Sequence, residues 1–79
     1  MNITITLDFK EYKKGVFDIS ANSEQIIGDC LKIVNEGLNL NLEVEKLNYC
    51  KSKREKQLIS LYSTFKDNNI YTGDIIKFV

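Results

Sequence analysis

The sequence predicts an α+β protein of two layers, with one helix packed across one face of a mixed sheet of four to five strands. Three observations carry this expectation. The N-terminal residues alternate apolar and polar, one central segment repeats its apolar residues every three or four positions, and the second half returns to short strand-like runs. At 79 residues the chain is sized for one domain, 1–79, in which only about 60 to 65% of the unfolded surface can be buried.

Ile3, Ile5, Leu7 and Phe9 share one side of the first segment, and Asn2, Thr4, Thr6 and Asp8 share the other. That is the pattern of a half-buried strand. A polar stretch from Lys10 to Gly15 follows, and Val16-Phe17-Asp18-Ile19 resumes the alternation with Phe17 and Ile19 inward. The two segments make a hairpin, with Gly15 free to take positive φ. Asn22-Ser23-Glu24-Gln25 has the form of a capping box, which starts a helix there. Ile27, Cys30, Leu31, Val34 and Leu38 then form one stripe, and Gly37 is placed to end the helix in a left-handed conformation. Gly28 either permits a close helix-to-sheet approach or is a tolerated surface glycine that costs about 1 kcal/mol relative to alanine.

Asn39 to Glu45 is either a short extended segment or a loop pinned by Leu40, Leu42 and Val44. Lys46 to Cys50 reads as a third strand with Leu47 and Tyr49 inward, Lys51 to Lys56 as a charged turn, and Leu58 to Leu61 as a fourth strand. Thr64 to Ile70 suits one 3₁₀ turn anchored by Phe65 and Ile70. A turn at Thr72-Gly73-Asp74 leads into the last strand, Ile75 to Val79.

Composition narrows the function. Lysine plus arginine equals aspartate plus glutamate, 11 each, so no overall field draws the chain to nucleic acid. The N-terminus lacks the pattern of a signal peptide, and no apolar run is long enough for direct membrane insertion, which favours a cytoplasmic setting. With no histidine and two unpatterned cysteines, neither a zinc site nor an acid-base pair is expected, and no cofactor is implied. Cys30 falls on the apolar helix stripe, while Cys50 lies on the polar side of its strand or at its end. Asp8, Asp18, Asp29, Asp67 and Asp74 are scattered over turns and strand exteriors. No metal ligands and no catalytic residues are assigned, and the expectation is a protein that is not an enzyme.

The order of elements resembles the β-grasp fold of ubiquitin. The local match is Thr64-Phe65-Lys66-Asp67-Asn68-Asn69-Ile70, which looks like ubiquitin's threonine-leucine-serine-aspartate-tyrosine-asparagine-isoleucine turn. Leu7-Asp8-Phe9-Lys10 with Tyr12, Gly15 to Ile19, and Tyr71 to Val79 further resemble the YukD/EsaB family, ubiquitin-like proteins of bacterial type VII (WXG-motif) secretion systems. Members of that family often carry a proline before the helix, where this chain has Asn22 to Gln25.

The resemblance implies a noncovalent accessory protein in assembly or regulation of the secretion machine, peripheral to its membrane complex, with the membrane ATPase as a partner. An unrelated β-grasp adaptor is the alternative, and an RNA-associated β-grasp module is disfavoured by the balanced charge. Covalent modifiers of this fold use a C-terminal diglycine, whereas the carboxylate here belongs to Val79 beside Phe78, so no conjugation to targets is expected. Ubiquitin's apolar sheet patch has a polar counterpart here in Asn48, so receptors of ubiquitin itself are not expected to bind. Val16, Ile75 and Val79, with Lys77 among them, remain as the candidate partner surface, either a contact face or incidental exposure. The basic run Lys51, Lys53, Arg54 and Lys56 is either a solvated hairpin tip or a site for phosphate or an acidic partner. An edge strand also offers a seam for pairing two copies into a homodimer.

Overall fold

The computed structural model describes residues 1–79. Strands β1 (Asn2–Asp8) and β2 (Val16–Asn22) form an antiparallel hairpin, helix α1 covers Ile27–Gly37, and β3 (Tyr49–Ser52), β4 (Leu58–Ser60) and β5 (Ile75–Phe78) complete the sheet. Short 3₁₀ turns lie at Lys10–Tyr12, Val44–Lys46 and Lys66–Asn68. The five strands stand in the order β2-β1-β5-β3-β4, and only the β1–β5 pair is parallel.

Ile3, Ile5, Leu7 and Phe9 from the β1 side, Ile27, Cys30 and Leu31 from α1, and Ile76 and Phe78 from β5 share one core cluster. The rings of Phe9 and Phe78 stack with centroids 4.8 Å apart and join the first and last strands. Phe65 and Ile70 are both fully buried and bracket the third 3₁₀ turn, as their spacing predicts. Leu40 is buried in a connector that is a loop rather than a strand.

The helix begins later than the capping-box pattern predicts. Asn22 ends β2, and its side-chain Oδ1 accepts the Glu24 N–H at 2.9 Å in a local turn instead of capping a helix. The first amides of α1 are satisfied from elsewhere: Ile27 N–H donates to the Ser63 carbonyl at 2.9 Å and Gly28 N–H to the Leu61 carbonyl at 2.7 Å. Backbone from beyond β4 therefore does the work of the cap. The helix end is also revised, because Gly37 is its last residue and Asn39 takes the left-handed conformation, φ 51°. The apolar stripe ends at Val34, since Leu38 is exposed.

The third strand is shifted by one residue from its expected register. Cys50 and Ser52 point inward and Tyr49 outward, while Leu47 packs on the core from the segment before the strand. Such a slip exchanges the two faces of a strand. Its physical reason is the buried pair Ser52 and Asp74: the Ser52 hydroxyl donates to Asp74 Oδ2 at 2.6 Å and accepts the Glu55 N–H at 3.1 Å. Asp74 Oδ1 also accepts the amides of Ile75 at 2.8 Å and Arg54 at 3.3 Å. Asp74 is therefore a buried organising residue and not an exposed one.

Gly28 makes a close approach. A Cβ at this position would lie 3.0 Å from the Leu61 carbonyl oxygen, which the Gly28 amide itself holds. Gly28→Ala is expected to lower stability by about 1 kcal/mol in urea unfolding, because crowding of a backbone carbonyl outweighs the gain in helix propensity. An increase would mean that the carbonyl yields. Asp74→Ala, which strands the Ser52 hydroxyl and two amides, is expected to cost about 2 to 4 kcal/mol in the same assay.

Candidate docking face

The side of the sheet away from α1 carries the polar positions of the strand alternation. One row of register partners crosses all five strands: Val16 on β2, Asp8 on β1, Lys77 on β5, Lys51 on β3 and Leu58 on β4. The neighbouring row pairs Asp18, Thr6 and Ile75, and Thr6 Oγ1 donates to Asp18 Oδ1 at 2.6 Å.

An open depression of about 550 Å³ lies over these rows. Val16, Ile75 and Lys77 all line it, which brings together three of the four residues of the candidate surface. Val79 is 45% exposed but lies beyond the end of β5 and outside the depression. The basic run divides. Lys51, Lys53 and Lys56 line the same depression, whereas Arg54 turns away and its Nη2 donates to the Thr72 carbonyl at 3.3 Å.

The backbone places these lysines. Lys53 N–H donates to the Ile75 carbonyl at 2.9 Å and Lys56 N–H to the Ser52 carbonyl at 2.8 Å, so the turn after β3 is tied to β5. Together with the Asp74 network this makes a fixed rim from residues that read as a solvated hairpin tip. Lys10, from the 3₁₀ turn after β1, completes the lining opposite and was not a candidate from sequence. The missing signal was the register of β3. With Tyr49 placed inward, Lys51 falls on the wrong face, and its alignment with Lys77 is lost.

Asn48 also changes role. It precedes β3, its carbonyl accepts the Leu61 N–H at 3.0 Å, and the outward positions of the strand are Tyr49 and Lys51. Asn48 therefore does not stand at the centre of the outer face.

Neither cysteine is placed as a nucleophile. Cys30 lies on the buried face of α1, and burial raises its pKa. Cys50 is fully buried, against its expected place on the polar side, and burial together with the nearby Asp74 carboxylate pushes its thiol from 9.0 up to about 12. A reactive cysteine needs the opposite, a stabilised thiolate. No group of three or more histidine, cysteine, aspartate or glutamate residues is arranged to hold a metal ion. No helix is long and apolar enough to cross a membrane.

No protein-family model matches the chain, and no curated protein matches it in sequence. Solved structures do match its shape. The C-terminal ubiquitin-like domain of mouse tubulin-specific chaperone e aligns with a TM-score of 0.69 at 10% identity, over 99% of this chain and 84% of that one. A designed protein based on ubiquitin aligns with a TM-score of 0.74 at 13% identity, over 99% of this chain and 87% of that one. The fold is a ubiquitin-like β-grasp. At these identities the likeness is one of architecture alone, and in this chain that architecture is a mixed five-stranded sheet, one helix and a 3₁₀ turn before the last strand.

The thiol environments predict a pH dependence. Cys50 stays protonated in the folded protein above pH 9 while the unfolded chain ionises, so its stabilising contribution is complete below pH 9 and is lost as pH rises towards about 12. The stability of the wild type is expected to fall more steeply across that window than that of Cys50→Ala, by up to about 1.4 kcal/mol per pH unit. Equal slopes in alkaline denaturation would place the thiol in a wetter site.

Proposed function

We propose that this chain is a noncovalent protein-docking module that engages its partner through the outer face of the sheet. The observation that carries the reading is the concave depression on that face, where Val16 and Ile75 lie within a ring of lysines. Pockets that recognise a partner combine apolar contact with a few placed polar groups, and this one has both. The chemistry of the chain supports binding over catalysis: both thiols are buried, and the sequence has no histidine to act as a general base.

Within that reading the chain is an accessory protein of a bacterial type VII secretion system, cytoplasmic and peripheral to the membrane complex, with the membrane ATPase as its partner. Support for this finer assignment comes from the sequence resemblance at Leu7 to Lys10 with Tyr12, at Gly15 to Ile19 and at Tyr71 to Val79. The ubiquitin-like fold is compatible with it.

The test is capture of the type VII membrane ATPase by tagged protein from the same cell. Val16→Asp combined with Ile75→Lys is expected to abolish capture while leaving the circular dichroism spectrum intact. Unchanged capture by the double variant would move the docking surface elsewhere, and failure of the wild type to capture the ATPase would remove the secretion assignment.

A further inference from the structure

The charge of the chain sums to zero, yet its lysines are not spread evenly. Lys10, Lys51, Lys53, Lys56 and Lys77 surround one depression, against the single carboxylate of Asp8 in the lining. They come from a 3₁₀ turn, two strands and a hairpin turn, separated by up to most of the chain, so the cluster is made by the fold.

The pairing inside the cluster is unfavourable. Lys51 and Lys77 are direct cross-strand partners, and like charges in that position destabilise a sheet. Lys77 is relieved by Glu11 at 3.1 Å, and Lys10 lies 3.8 Å from Asp8. Lys51, Lys53 and Lys56 have no ion-pair partner. Three uncompensated ammonium groups at the rim of a concavity focus a positive potential into it.

We propose that this depression binds an acidic segment of a protein partner, in which glutamate or aspartate side chains flank an apolar residue. The carboxylates meet Lys51, Lys53 and Lys56, and the apolar side chain rests on Ile75, Val16 and the aliphatic stems of the lysines. Single-stranded nucleic acid fits less well, because no aromatic residue lines the site for a base to stack on. This inference rests on the docking reading of the same face and adds the chemistry of the partner.

Lys51→Glu separates binding from folding. It replaces the like-charge pair with Lys77 by an opposite-charge pair, so its melting temperature is expected to equal or exceed that of the wild type. The probe is a labelled short peptide of alternating glutamate and leucine, followed by fluorescence anisotropy, with a glutamine-leucine peptide beside it. The acidic peptide is expected to bind, to weaken as salt is raised, and to bind Lys51→Glu about tenfold or more weakly.

Equal binding of both peptides, lost in Ile75→Lys, would overturn the acidic preference while leaving the docking face standing. Binding of the acidic peptide that is unchanged in Lys51→Glu, or no binding of either peptide, would overturn the proposal. In the latter case capture of the native partner remains the separate measure of the docking reading. Binding of phosphatidylserine vesicles or single-stranded RNA without peptide binding would reassign the lysines to those anions.

Discussion

The parallel pairing of β1 with β5 is the constraint on which the rest of the structure depends. Thr6, Leu7 and Asp8 lie beside Ile75, Ile76 and Lys77, at the middle of the sheet and from opposite ends of the chain. Without that pair, the β1–β2 hairpin would be a two-stranded ribbon, which is marginal in water, separated from the three-stranded β5–β3–β4 sheet. Closing it costs loop entropy over nearly the whole sequence, and the gain comes from burying Leu7, Ile76, Phe9 and Phe78 at one place. Backbone bonds from Gly73 to Thr4 and from Thr6 to Asp74 extend the seam into the preceding turn.

Asp74 connects this central seam to the surface. Its carboxylate holds the Ser52 hydroxyl, the Ile75 amide and the Arg54 amide, so the register of β3 against β5 and the course of the basic turn are set by one side chain. The same carboxylate adds to the burial that keeps the Cys50 thiol protonated. A polar group buried beneath the rim of the lysine-lined depression ties the geometry of that face to the integrity of the core.

The outer face shows local and global preferences in conflict. Lys51 opposite Lys77 is a poor choice for sheet stability, and a glutamate at either position would pair with its neighbour. Conflicts of this kind are expected where a surface serves a purpose other than folding. The backbone positions of these lysines are set by hydrogen bonds of the turn and by strand register.

The sequence alone determined the class and order of elements, because period-two and period-3.6 apolar patterns are local signals. It placed β1 and β2, the core stripe Ile27, Cys30, Leu31 and Val34, and the anchors Phe65 and Ile70 without knowledge of their neighbours. It also marked Val16, Ile75 and Lys77 as outward residues. Tertiary structure decided what depends on partners distant in sequence. The helix start is set by carbonyls of Leu61 and Ser63, the inward turn of Cys50 and Ser52 is set by Asp74, and the fate of Gly28 is set by the Leu61 carbonyl. The lysine-lined depression belongs to this second group: each lysine is an ordinary solvated residue in the sequence, and only the β1–β5–β3 pairing gathers them around one site.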